Sequence, residues 1–305
     1  MIYSDKVKFI LNQYENTNAG IKANLGRILM SGKLSGTGKL VILPVDQGHE
    51  HGPDKSFMVN PEAYDPIYHY ELAIEAGLSA YAAPLGFLEA GAETFAGQIP
   101  TILKINSSNT LATSLDQAVT GSVDDALKLG CAAIGFTIYP GSEHNFDLME
   151  EFKKLSFEAK EKGLAVVLWA YARGSNISKK GETAMNIISY AAHISALLGA
   201  NIIKVKLPSD FLEDDPTKKA FEDNNININT LKDRVAHIKK VAFDGKRLVV
   251  FSGGDAKDDQ ALMDEVLAIH QGDGNGSIIG RNCFQRSRAD ALALLEQMIQ
   301  IYKSK

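Results

Sequence analysis

Eight short apolar runs, separated by amphipathic or polar stretches, constrain this chain of 305 residues more than any other feature. They occupy residues 40–45, 80–84, 101–105, 132–138, 165–171, 202–206, 248–252 and 277–280. Runs this short, bounded by turn-forming residues, read as buried strands. Helical spacing of apolar residues fills most of the gaps, as over residues 143–162, 182–198, 229–241, 258–270 and 288–301. Strands alternating with helices predict parallel strands joined by crossover helices. Eight units in about 265 residues is the size of a (β/α)8 TIM barrel. The expected class is therefore α/β, with residues 1–305 forming one barrel domain. A doubly wound sheet would want a G-x-G-x-x-G turn after its first strand, and the chain has none there.

Residues 1–35 precede the first run. Val7, Ile10, Leu11, Tyr14, Ile21, Leu25, Ile28 and Leu29 have helical spacing, which predicts an N-terminal helical extension covering the barrel bottom or a subunit contact. Residues 209–228 are rich in Asp and Asn and read as an extended loop after the sixth strand.

Bulk composition narrows the partners. A net charge of −5 leaves no electrostatic footprint for nucleic acid. No run reaches the ~18 apolar residues of a membrane span, and the first residues lack the apolar core of a signal peptide. The two cysteines, Cys131 and Cys283, make neither a disulfide framework nor a zinc site by themselves. They read as reduced packing residues, and the expected location is cytoplasmic.

Lys204 carries the strongest chemical signal. It lies in Ile202-Ile203-Lys204-Val205-Lys206, where a buried ammonium is costly unless it is paired or its pKa falls. A desolvated lysine with a depressed pKa suits Schiff-base chemistry on a carbonyl. Lys206 leaves the same strand face, and its charge would push Lys204 further toward the neutral amine.

In a barrel the site sits at the carboxyl ends of the strands, and ionisable side chains cluster there. Asp46 follows the first strand and reads either as a turn or helix cap or as a catalytic carboxylate. Lys104 and Asn106 end the third. Trp169, Tyr171 and Arg173 share one parity on the fifth, Trp169 as wall and Tyr171 as core aromatic or functional phenol. Ser252, Gly253 and Gly254 end the seventh strand, and Gly280 and Arg281 the eighth. Those glycines either make tight turns or let backbone N–H groups approach a phosphate, with a short extra helix adding partial positive charge. Arg281 would add a charge-assisted contact. His49-Glu50-His51 offers two imidazoles at i and i+2 with no third ligand in view, so no metal site is expected. These side chains are expected to orient Asp46 or touch a neighbouring loop.

Taken in order, Gly36-Thr37-Gly38-Lys39-Leu40, Pro44-Val45-Asp46-Gln47-Gly48-His49-Glu50-His51-Gly52-Pro53, Leu103-Lys104-Ile105-Asn106, Trp169-Ala170-Tyr171-Ala172-Arg173-Gly174, Ile202-Ile203-Lys204, Ser252-Gly253-Gly254 and Gly280-Arg281-Asn282 resemble the archaeal-type class I fructose-1,6-bisphosphate aldolases, the DhnA-type family. The resemblance covers nearly the whole chain. It implies a lyase of glycolysis and gluconeogenesis that works without metal or cofactor on a sugar phosphate. It also implies a homo-oligomer, with a decamer-type assembly among the possibilities. On this reading Lys204 is the Schiff-base lysine, Tyr171 the proton-transfer tyrosine and Asp46 the first-strand carboxylate. Trp169, Lys206, Ser252, Gly253, Gly254, Gly280 and Arg281 bind substrate. Lys206 shares the face of Lys204, so a register slip of two would exchange them. Three alternatives stay open: a related transaldolase-like or thiolase-like Schiff-base enzyme on another phosphorylated ketose, a sugar-phosphate binding protein without catalysis, and a zinc-dependent aldolase on the same fold.

Overall fold

The computed structural model describes every residue except 1, 16, 254–257 and 305. Eight parallel strands close into a barrel: Leu40–Pro44, Ala80–Ala83, Thr101–Lys104, Ala133–Ile138, Ala165–Ala170, Ile202–Lys206, Leu248–Ser252 and Gly276–Ile278. They neighbour one another in chain order, and the eighth closes on the first through Leu40↔Gly276, Val41↔Ser277 and Ile42↔Ile278. All eight expected runs are strands of this barrel, with ends that differ by a few residues. Five runs outlast their strands, by one or two residues. Tyr171 lies past the end of the fifth strand, and Gly280 caps the short helix Arg281–Phe284.

The two strand faces explain the near-continuous apolar runs. Residues of one parity, among them Val41, Leu43, Leu168, Ile203, Val205, Val249 and Phe251, pack outward against the helices. Those of the other, including Leu40, Ile42, Val167, Trp169, Ile202, Leu248 and Val250, fill the interior. A sheet covered on both faces has no polar side to display. The Trp169 ring fills the space that a Cβ at Gly135 would need on the neighbouring strand.

Helices Asp5–Asn12 and Ala19–Leu29 cover the bottom of the barrel. Their Val7, Ile10, Leu11, Ile21, Leu25, Ile28 and Leu29 join the interior cluster, as does Tyr14 between them. Tyr14 reaches furthest: its hydroxyl donates to the Asn201 carbonyl at 2.5 Å and accepts from the Leu248 N–H at 3.1 Å. Backbone groups at the lower ends of the sixth and seventh strands thus find a partner away from water.

Residues 209–228 are not a loop throughout. They hold the helix Asp215–Asp223, started by Asp214, whose side chain accepts from the Thr217 N–H at 2.8 Å, and by Pro216 in its first turn. The helix buries none of its residues, so apolar periodicity could not reveal it. Also absent from the sequence reading is a small antiparallel ribbon, Asn106–Ser107 with Ala118–Val119, over the third strand. Both cysteines are buried, and burial raises their thiols to about 11 for Cys131 and about 12 for Cys283, so they serve packing. Among the described residues no helix is long and apolar enough to cross a membrane.

Candidate active site

A cavity of about 890 Å³ opens at the carboxyl ends of the strands, as the fold requires. Asp46, Tyr171, Lys204, Lys206, Ser252, Gly253, Gly280 and Arg281 all line it. They come from five strand ends far apart in the chain. Gly254 lies outside the described residues.

Lys204 is 4% exposed on the sixth strand, with Trp169 as its register partner on the fifth. Its Nζ stands 5.3 Å from the Trp169 ring centre and 5.2 Å from that of Tyr171. Burial lowers the pKa of this amine to about 8. Lys104 and Arg281 push it further down, while Asp46 and Glu50 work against the shift. A group with that pKa is partly neutral at physiological pH and therefore nucleophilic.

The like charge beside Lys204 is therefore not the expected one. Lys206 instead pairs with Glu182, Nζ to Oε2 at 2.8 Å. Lys104 takes the part, from the end of the third strand. Its Nζ, on a side chain 1% exposed, donates to both the carbonyl and the side-chain oxygen of Asn106. Asn106 in turn bridges to the fourth strand, accepting from the Thr137 N–H at 2.7 Å and donating to its carbonyl at 2.9 Å. Burial lowers the Lys104 pKa, against Asp46 and Glu50.

Asp46 occupies the N-cap position of the helix Gln47–His51, yet its side chain makes no capping bond. The carboxylate is buried at 7% exposure and lines the cavity instead, so the capping explanation fails. Glu50 follows one helical turn later, its N–H bonded to the Asp46 carbonyl. Burial and Asp46 push its carboxyl up to about 7, against Lys104, Lys204 and Arg173. The Tyr171 phenol is raised well above its ordinary value by burial and by Glu50 and Asp46, so it keeps its proton.

Trp169, expected in the wall, does not line the cavity. At 1% exposure it lies in the barrel interior and meets the site through the lysine amines. Arg173 reaches the cavity between the rings of Tyr139 and Tyr171, at 5.1 and 5.7 Å, and its parity with Tyr171 is the signal for it in the sequence. The two glycines differ. A Cβ at Gly280 would stand 2.6 Å from the Pro44 carbonyl oxygen, so packing alone demands glycine there. At Gly253 the nearest atom would be 3.4 Å away, and packing makes no such demand. His49 Nδ1 donates to the Ser108 carbonyl at 3.1 Å, and so touches the neighbouring loop. Among the described residues no three His, Cys, Asp or Glu side chains converge on a metal-sized site.

A buried amine with a pKa of about 8, opening on a cavity at the carboxyl ends of a parallel barrel, has the properties that Schiff-base chemistry on a carbonyl requires, and comparisons with known proteins give the class of aldolases. The chain belongs to the DeoC/LacD family of aldolases, whose model matches residues 40–286. It is 34% identical over 302 residues to a probable class 1 fructose-bisphosphate aldolase of Chlamydia muridarum, covering 93% of this chain and 85% of that one. It is also 34% identical to the class 1 fructose-bisphosphate aldolase of Thermoproteus tenax, over 87% and 89% of the two chains. Among solved structures, an archaeal fructose-1,6-bisphosphate aldolase with its catalytic lysine bound to the carbinolamine intermediate superposes with a TM-score of 0.75 at 31% identity, covering 88% of this chain and 95% of the other.

Proposed function

We infer that this protein is a class I fructose-bisphosphate aldolase that cleaves and forms fructose 1,6-bisphosphate through a Schiff base on Lys204. The observation that carries the reading is the buried, partly neutral Lys204 amine over the ring of Tyr171. The amine attacks the ketone carbon of the open-chain sugar, and Asp46 takes the proton that the new C–N bond releases and passes it to the alkoxide oxygen, which gives the neutral carbinolamine. Tyr171, holding its proton, gives it to the departing hydroxyl, and the carbinolamine becomes an iminium. The phenolate left behind stands beside that cation and Arg173, and takes the C4 hydroxyl proton. The C3–C4 electron pair moves into the iminium, glyceraldehyde 3-phosphate leaves, and an enamine stays on Lys204. Protonation at C3 and hydrolysis release dihydroxyacetone phosphate. Synthesis runs the same path backward.

The cavity wall carries Lys55, Arg173, Lys179, Lys206, Arg234 and Arg281 against Asp46, Glu50, Glu182 and Glu265, a surplus of positive charge that suits a bisphosphate. Ser252, Gly253, Gly280 and Arg281 hold the phosphate nearer the carbonyl and so fix that carbon over Lys204. The proposal includes a homo-oligomer, to be measured by light scattering, and a cytoplasmic location. Borohydride with dihydroxyacetone phosphate should leave a mass adduct on the peptide containing Lys204. An adduct on Lys104 or Lys206 would refute the site, and a loss of activity in EDTA restored by zinc would refute the metal-free reaction.

A further inference from the structure

We propose that Glu182 is a specificity-determining residue, an internal anion that competes with the distal phosphate of the substrate for the ammonium of Lys206. The inference rests on the fructose bisphosphate reading and gives that site its means of telling a bisphosphate from a monophosphate.

Lys206 leaves the same strand face as Lys204, two residues and about 7 Å nearer the mouth. A ketose held through its carbonyl carbon at Lys204 extends its remaining carbons and distal phosphate ester over about that length. The Lys206 ammonium already has a partner in the cavity wall. It is 2.8 Å from Glu182, whose other oxygen is 3.0 Å from Lys179. The side chains of Lys206 and Glu182 are only 23% and 17% exposed, whereas that of Lys179 is 90% exposed. Glu182 therefore shares its charge between a cation inside the cavity and one in solvent.

The backbone that carries Glu182 is anchored independently of this pair. The Gly181 N–H donates to the Ser178 hydroxyl at 2.9 Å, and Ser209 donates to the Thr183 carbonyl through its N–H at 2.7 Å and its hydroxyl at 3.0 Å. The carboxylate itself is held by ion pairs, which an arriving anion can exchange. A phosphate ester offers more charge and more acceptor atoms than a carboxylate, so it can take over the Lys206 donors. A ligand without a distal phosphate leaves the Lys206–Glu182 pair closed. Affinity at this end then equals the phosphate contact less the ion pair that it displaces.

The test compares kcat/KM for fructose 1,6-bisphosphate with that for fructose 1-phosphate. Glu182→Gln removes the competitor and should raise the ratio by roughly three- to tenfold, through KM for the bisphosphate. Lys179→Met, at an exposed position, leaves Glu182 to Lys206 alone and should lower the ratio. Lys206→Met should reduce the ratio by roughly tenfold or more. A ratio that falls in Glu182→Gln would mean that Glu182 positions Lys206 for phosphate, and equal changes for both sugars would mean a structural role; either result overturns the proposal. Failure of the wild type to trap dihydroxyacetone phosphate would instead overturn the aldolase reading beneath it.

Discussion

Lys104 and Lys204 both direct their Nζ atoms toward the ring of Trp169, at 6.0 and 5.3 Å from its centre. One indole thus joins two buried lysines from the third and sixth strands. A cation this close disfavours a second, so Lys104 holds down the pKa of the reacting amine.

Replacing Lys104 by Met removes that repulsion, and the Lys204 pKa rises from about 8. Less of the amine is neutral at pH 7, so imine formation slows there and its pH profile moves to the alkaline side. A pKa higher by about one leaves about tenfold less free amine at pH 7. Glu50→Gln acts in the opposite sense, because an ionised Glu50 favours the ammonium. Borohydride trapping as a function of pH measures both, and a midpoint that stays put or moves the other way would remove Lys104 from this role.

In the proposed mechanism the Tyr171 phenol carries protons in both carbinolamine dehydration and C3–C4 cleavage, and a general acid–base group contributes typically about 10²–10⁴-fold. Tyr171→Phe should lose that much kcat, and its borohydride adduct on Lys204 should accumulate more slowly than in wild type. Near wild-type kcat would transfer the proton steps to another group.

At the barrel bottom, Tyr14→Phe deletes one hydroxyl with two backbone partners, Asn201 and Leu248. Unsatisfied buried backbone groups cost about 1–3 kcal/mol. Thermal unfolding should fall by a few degrees while kcat is unchanged, since Lys204 is unaltered. A variant as stable as wild type would mean that water replaces the hydroxyl.

The two cradle glycines should part company. Gly280→Ala meets the Pro44 carbonyl oxygen at 2.6 Å and should lower stability and activity together. Gly253→Ala has ordinary contact distances to its neighbours. Its melting temperature should match wild type, and a raised KM for the bisphosphate would then report close approach of phosphate to the Gly253 backbone. An unchanged KM would place the phosphate elsewhere.

Much of the fold is legible in the sequence because hydrophobic burial is local in pattern. Each barrel strand is apolar on both faces, so the runs around Ile42, Val167 and Val249 stand out without any knowledge of their neighbours. The helix Asp215–Asp223 is not legible, since it buries nothing. The tight ribbon at Asn106 is not either, because two-residue strands have no period. Within the site, Lys204, Tyr171 and Asp46 are readable from residue type at strand ends. Trp169 lies one layer deeper than the sequence suggests, because strand parity gives the face but not the depth.

Alternation of short apolar runs with helical spacing determined the barrel, and an ionisable residue in the sixth run marked the candidate reactive position. Only closure of the barrel decided which charges meet. It brought Lys104 to Lys204 across the Trp169 ring and gave Lys206 to Glu182, 24 residues away. Electrostatic interaction depends on distance and burial in space. Two lysines on one strand face are neighbours in the sequence, but the pKa of the amine is lowered first by burial and then by Lys104, both products of packing and register.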